Sequence, residues 1–289
     1  MSANSFIAID WGTTNRRAYL IEDGVVTRTE RDGLGIRAVS DGNFAAATRA
    51  LKQQMGDHPM LLAGMIGSNR GWVDAGYVAC PATLDTLAAA TRRVEDDVFI
   101  VPGVSIVDGA RADVMRGEEV QLLGAVEGGL VPGDALLCQP GTHCKWARMR
   151  EGALVDFATA MTGEAFALLR DHALIGAAMT DAVGEGQAFR DGVARAGDHD
   201  LLAALFGVRP ASLLGLRDDA DAASYVSGLL IGSDVRAQVS AGDRVHVLAD
   251  PVLGALYAAA IEQVGARSVA VDSHSAFVSG ITHIWELMS

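Results

Sequence analysis

The feature that most restricts the fold of this chain is a strand, turn and strand unit that occurs twice. In IAIDWGTTNRRAYL an apolar strand runs into x-x-Gly-Thr, a second strand leaves with a basic residue, and Asp23-Gly24 turns the chain into a third, VVTRT. The same order returns in LLCQPGTHCKWARMREGALVDF. Setting Gly12-Thr13 on Gly141-Thr142 also sets Arg16 on Lys145, Ala18 on Ala147 and Glu22 on Glu151, with Gly24 and Gly152 at the turns that follow. Two such copies predict two similar domains, each presenting a Gly-Thr hairpin.

Around the two copies, helical and strand periodicities alternate. Helices are expected over 43–55, 83–94, 117–128, 162–174, 186–206 with a break, and 220–240, and buried strands over 60–66 and 245–250. Pro251 suits the first turn of a helix beginning PVLG. Arg92-Arg93, answered at once by Glu95, Asp96 and Asp97, reads as a solvated helix end. The stretch 67–82, GSNRGWVDAGYVACPA, interleaves Gly with polar and aromatic residues and is too long and mixed for a plain turn, which marks it as a binding loop.

Composition removes several classes of function. With 289 residues, half of them hydrophobic and a fifth charged, the chain is globular and long enough for two domains with cores of their own. Its formal net charge of -13 opposes a polyphosphate backbone or an anionic bilayer, so neither nucleic acid nor membrane is expected as a partner. Cys80, Cys138 and Cys144 show no CxxC spacing, which excludes a zinc ribbon and a disulfide framework. The apolar run 6–9 is too short for a signal peptide, and no apolar stretch approaches the roughly 20 residues of a membrane span. A cytoplasmic protein is expected, with self-association left open.

A hairpin tip carrying Gly and two hydroxyls offers donors to a phosphate, and an acid at the end of the preceding strand can orient water on magnesium. IDWGTTNRR holds these within nine residues, yet it is neither a GxxxxGK[ST] loop nor a GxGxxG fingerprint. The DxGTTxxR start, the second Gly-Thr hairpin and the small-residue helix before VHVLADP resemble the phosphate-1, phosphate-2 and adenosine segments of the actin, hexokinase and Hsp70 superfamily. More narrowly, IAIDWGTTNRRAYL, LLAGMIGSNRGWVDAGYVACPA, MRGEEVQLLGA, QPGTHCKW and FATAMTGEAFALL together resemble the 2-dehydro-3-deoxygalactonokinase family. Arg16 and Gln139 stand where apolar residues are usual, Val120 replaces Thr, and Cys144 replaces Ser.

The resemblance implies an α/β, two-domain actin-like (ribonuclease H-like) ATPase fold with nucleotide in the interdomain cleft, with domains 1–110 and 111–289, the last helix returning to the first. It implies transfer of the ATP γ-phosphoryl group to the 6-hydroxyl of 2-dehydro-3-deoxy-D-galactonate. On that reading Asp10 lies near magnesium, and Gly12, Thr13, Thr14 and Arg16 meet the phosphates from one domain. Gly141, Thr142 and His143 meet them from the other, and Gly228, Gly232 and Asp250 belong to the adenosine segment. Glu118 is the expected base, with Glu119 the alternative, although two carboxylates at a helix start also suit its dipole. His143 is a rival base by chemistry, more at home donating to phosphate or packing. Ser68, Asn69, Arg70 and Trp72 supply a cation, polar partners and a ring for an acidic sugar. Thr159, Thr162 and Glu164 sit near a helix start that favours an anion, although Thr162 suits a plain N-cap equally. The competing functions are a kinase of another sugar or sugar acid, or a non-catalytic nucleotide-binding regulator.

Overall fold

Residues Phe6 to Ile9 are all buried, so the strand they form, β1 (Ser5–Trp11), has packed side chains on both of its faces. The structure is a computed structural model and describes residues 5–109 and 111–288. Ile7, Ile9 and Trp11 point to one face and meet Phe44, Leu51 and Met55 of α1 (Phe44–Met55). Phe6 points to the other face and stacks on Trp285 of the last helix, α10 (Ser273–Met288), with ring centroids 4.7 Å apart.

Two compact units divide the chain. Met1–Asp134, Arg148–Phe157 and Asp272–Ser289 make unit 1, and Ala135–Ala147 with Ala158–Val271 make unit 2. The segment after the expected 110/111 boundary therefore counts with unit 1 as far as Asp134, while Ala110 itself lies outside the described residues. The reason is a helix crossing: α10 packs on α3 (Glu118–Glu127), where the backbones approach closely at Gly124 and Gly280.

Unit 1 is built on a six-stranded sheet. After β2 (Arg16–Glu22) and β3 (Val25–Asp32) come β4 (Met60–Gly64), the short β5 (Tyr77–Ala79), α2 (Leu84–Ala90), β6 (Arg92–Glu95) and β7 (Val98–Ile100). The order across the sheet is β3-β2-β1-β4-β7-β6, with β1 antiparallel to β2 and parallel to β4. A three-stranded sheet joins β5 to β8 (Gly103–Asp108) and β9 (Arg111–Met115). Arg92-Arg93, expected at a helix end, instead opens β6, which pairs antiparallel with β7 about the turn at Asp96-Asp97. Helix α2 stops at Ala90, and the ladder with β7 supplies the backbone partners that a further helical turn would have given.

A five-stranded sheet repeats the order. Strands β10 (Ala135–Gln139), β11 (Cys144–Arg150) and β12 (Ala153–Ala160) take the places of β1, β2 and β3, with Arg148–Phe157 of the β11–β12 hairpin counted in unit 1 and the rest of the sheet in unit 2. The sheet runs β12-β11-β10-β13-β14, with β13 (Arg244–Leu248) parallel to β10 and β14 (Arg267–Val271) parallel to β13. The helices are α4 (Thr162–His172), α5 (Gln187–Arg195), α6 (Leu201–Phe206), α7 (Val208–Leu213), α8 (Ala222–Gln238) and α9 (Pro251–Gln263). The break expected within 186–206 falls between α5 and α6, where His199 adopts a left-handed conformation. Helix α8 is buried along most of its length, and Asp250 caps α9 by accepting from the amides of Val252 and Leu253.

Candidate active site

In unit 1 the turn after β1 is fixed from two directions. Gly12 donates its amide to Asn15 at 2.9 Å, and the carbonyls of Gly12, Thr13 and Thr14 accept from Ile36, Arg37 and Gly35. This docking brings residue 35 so close that a Cβ there would lie 2.4 Å from the Thr13 and Thr14 backbone, so only glycine fits. With their carbonyls engaged, the amides of Thr13 and Thr14 donate to no backbone carbonyl among the described residues. The tip is a set of donors without acceptors, which is the chemistry of an anion site.

Asp10 stands at the root of this turn, directly across from Arg17 of β2. Burial raises its carboxyl to about 6, Arg17 pulls it down and Glu118 pushes it up further. Glu118 opens α3 half-buried, and its Oε2 accepts the Arg116 amide at 3.0 Å. Glu119 is fully buried. Burial, aided by Glu118, lifts it to about 8, against the partial relief of its own and the Gly117 amides and of Arg116. Its Oε2 accepts from Gly117 at 2.6 Å and its Oε1 has no partner, so this side chain is held away from any ligand.

Arg16 does not join this group. It is cross-strand to Trp11, on the face opposite Asp10, where its guanidinium lies over the Trp11 ring and pairs with Asp32 at 2.6 Å. Arg17 is the cation on the acid's face, and it was missed because adjacent arginines look alike until the register is known. A second missed residue is Arg116. Its guanidinium donates to the Gly76 carbonyl at 3.0 Å and stacks on Tyr77, joining the end of the 65–76 loop to the start of α3. The Met-Arg-Gly-Glu-Glu run placed it beside the acids, but nothing in the sequence pointed to its contacts.

The 65–76 loop leaves β4 where Gly64 pairs with Trp11, at the same end of the sheet as the Gly12 turn. Ser68 is buried, donates to the Met65 carbonyl at 2.7 Å and accepts the Arg70 amide, so its hydroxyl shapes the loop. Asn69 and Arg70 are exposed, and Trp72 packs partly into the α1 side of the core.

In unit 2 the corresponding turn is docked in the same manner. The Thr142 carbonyl accepts the Glu164 amide at 2.8 Å, and a Cβ on residue 163 would lie 2.3 Å from the Gly141 carbonyl. Thr142 is exposed, and His143 pairs through Nε2 with Glu164 at 2.7 Å, which leaves both side chains engaged with each other. Lys145, the counterpart of Arg16, is likewise buried and bonded to the third strand, at Thr159 Oγ1. Thr162 is not an N-cap. Its hydroxyl donates to Asp234, as do Trp146 Nε1 and the Tyr257 hydroxyl, at 2.8, 2.8 and 2.9 Å.

Beside Gly141 and Gly163 opens a cavity of about 190 Å³ lined by Phe166, Ser227, Leu253 and Tyr257. Gly228 and Gly232 face away from it. A Cβ on Gly228 would lie 2.0 Å from the Phe189 carbonyl and one on Gly232 2.8 Å from Val193, so these glycines let α5 pack on α8. Asp250 is engaged as the α9 cap described above.

Comparison with known proteins finds relatives over nearly the whole chain. The family model for 2-keto-3-deoxy-galactonokinase matches residues 10–284. A protein of Rhizobium meliloti named as the 2-dehydro-3-deoxygalactonokinase DgoK1 is 35% identical, over 99% of both chains. The 2-dehydro-3-deoxygalactonokinase of Escherichia coli is 35% identical over 96% of this chain and 97% of its own. A crystal structure from Sinorhizobium meliloti, titled as that same kinase, superposes with a TM-score of 0.90 at 34% identity, covering 96% of this chain and 97% of its own. At 9% identity and a TM-score of 0.50, the ADPNP-bound activator of 2-hydroxyisocaproyl-CoA dehydratase from Clostridium difficile shares the fold alone, over 98% of this chain and 94% of its own. The α/β actin-like ATPase fold that the resemblance implies is borne out. With a match that begins at Asp10 and ends in α10, the chain belongs to the 2-keto-3-deoxy-galactonokinase family.

Proposed function

We propose that the chain transfers the γ-phosphoryl group of ATP to the 6-hydroxyl of 2-dehydro-3-deoxy-D-galactonate, giving ADP and the 6-phosphate. Family membership makes it a phosphotransferase with an alcohol acceptor. The observation that carries the reading to residues is the nearness of two acids at the root of the Gly12–Thr14 turn, where Glu118 repels the buried Asp10 carboxylate. Phosphoryl transfer asks a protein for in-line positioning, donors for the spreading charge and a base for the attacking hydroxyl.

Glu118 takes the base role. Its Oε2 is oriented by the Arg116 amide, and unlike Glu119 it is open enough to meet a substrate hydroxyl. The Thr13 and Thr14 amides and hydroxyls hold phosphate oxygens, with Arg17 supplying positive charge on the face of Asp10. In unit 2, Gly141 and Thr142 serve phosphate and the apolar cavity beside them takes the adenine. Arg70 meets the substrate carboxylate and Asn69 its hydroxyls, both from the compact 65–76 loop.

Asp10 is the residue for magnesium. A carboxylate whose charge burial leaves undercompensated fits a nearby cation. The ion would arrive with nucleotide and take its other ligands from phosphate and water. When bound, magnesium neutralises charge on the phosphates. No described helix is long and apolar enough to cross a membrane.

ADP release tests the reading across 2-dehydro-3-deoxygalactonate, its gluconate epimer, galactonate, glycerol and simple hexoses. Turnover confined to the galactonate-derived acid is the expected result. Turnover with none of them, despite ATP binding, would contradict it.

A further inference from the structure

Arg116 stands just before α3, and its side chain is only 4% exposed. The guanidinium reaches both ends of the 65–76 loop. At the far end it donates from Nη2 to the Gly76 carbonyl at 3.0 Å, lies 3.6 Å from an Asp74 carboxylate oxygen and stacks 4.4 Å from the centre of the Tyr77 ring. At the near end, a Cβ on Gly67 would lie 3.0 Å from Nη1. The loop closes on itself here, the Ala75 amide donating to the Gly67 carbonyl at 2.9 Å, and its exposed part carries Asn69 and Arg70. Through its backbone the same residue meets the base, since the Arg116 amide donates to Glu118 Oε2. Stability alone does not account for the cation. Its Nε and Nη1 are buried with no hydrogen-bond partner among the described residues, a cost that an apolar side chain of similar length would not carry. Asp74 is exposed, and the Gly76 carbonyl also accepts the Gly103 amide at 3.1 Å, so neither depends on Arg116 to be satisfied.

We propose that Arg116 is a positioning residue for phosphoryl transfer, holding the 65–76 loop and Glu118 in one fixed arrangement. The proposal rests on the sugar-acid kinase reading above, in which Asn69 and Arg70 bind the substrate and Glu118 takes the proton of its hydroxyl. The loop and the base belong to separate stretches of chain, and a hydroxyl held by one must arrive within hydrogen-bond reach of the other. A misplacement of about 1 Å costs roughly 10²-fold in rate, so a rigid tie between the two acts on kcat as well as on sugar binding. The planar guanidinium suits the task because it donates at one end of the loop while packing against the other, which a compact ammonium cannot do.

Steady-state kinetics of Arg116→Met in the full chain, with 2-dehydro-3-deoxygalactonate and ATP varied in turn, test the proposal. The expected result is a kcat lowered at least roughly tenfold and a raised KM for the sugar acid, with KM for ATP and the unfolding midpoint close to the parent values. Arg116→Lys keeps the charge and is expected to recover part of kcat; if Arg116→Met fails to fold, the same split between sugar acid and ATP is read on the Lys variant. Parent values of kcat and sugar-acid KM overturn the proposal, as does a loss shared by both substrates and the midpoint, which is what a purely structural residue would give. Hydrogen exchange needs no substrate and separates this outcome from a failure of the kinase reading. Even if the parent turns over no sugar acid, the Trp72, Ala75 and residue-116 amides are expected to exchange at least roughly tenfold faster in the folded variant, and unchanged exchange overturns the positioning role.

Discussion

The two units share a sheet order and a docked Gly-Thr turn, yet they treat their buried acids in opposite ways. Burial raises the Asp234 carboxyl of unit 2 as well, but hydrogen bonds from Thr162, Trp146 and Tyr257 oppose the rise and engage both carboxylate oxygens. In unit 1, burial raises Asp10 and Glu119, and one Glu119 oxygen has no partner at all. A satisfied buried acid is scaffold, whereas Asp10, raised by burial near the end of β1 with Glu118 beside it, is poised to meet a cation. The repeat thus supplies one backbone design twice, and electrostatics divides the labour between the copies.

The comparison is broken most severely at Asp10. Replacing it with Ala is expected to lower turnover by roughly 10³-fold, because a preorganised charge at the phosphates is lost. The unfolding midpoint should hold, since burial already opposes that charge. Normal turnover in this variant would remove the residue from the site. At Asp234 the expectation is reversed. Asp234→Ala leaves three buried donors unpaired and should cost roughly 3 kcal/mol in denaturant unfolding, with Asp234→Asn costing less. An unchanged midpoint would mean that the network is not structural.

Gly228→Ala separates packing from ligand contact. Its Cβ would press on the Phe189 carbonyl, so a loss of roughly 2 kcal/mol in stability is expected with ATP affinity unchanged. Weaker ATP binding at full stability would return Gly228 to the nucleotide site. The smallest effect is a pH dependence. Glu119 is raised to about 8 from an ordinary value of 4.5, so the folded state binds the extra proton between those limits and stability falls as pH rises through the window. Glu119→Gln should therefore raise the unfolding midpoint near pH 9 and leave it almost unchanged near pH 4. Equal effects at both pH values would show that Glu119 is ionised throughout.

Much of this contrast was legible in the sequence. The Gly-Thr hairpins announced the paired sheets, and the acids of IDWG and GEE stood out as chemistry. Register was the missing information for the arginines: the short turn pairs Trp11 with Arg16 and Asp10 with Arg17, and a slip of one residue exchanges the faces. Small residues on α8 were equally readable as room for a ligand or for a helix, and only the position of α5 decides between them. Gly35 and Asp234 were invisible for another reason. Their partners lie far along the chain, and no local pattern encodes that Thr14 docks on one or that Trp146 and Tyr257 converge on the other.

The account rests above all on Glu118 as the base. Turnover and ATP affinity of Glu118→Gln, measured with 2-dehydro-3-deoxygalactonate at saturating magnesium, test it most directly. The account predicts a fall in kcat of roughly 10²- to 10⁴-fold, with ATP affinity and KM for the sugar acid close to the parent values. A kcat near the parent value, or a change confined to KM, would contradict it.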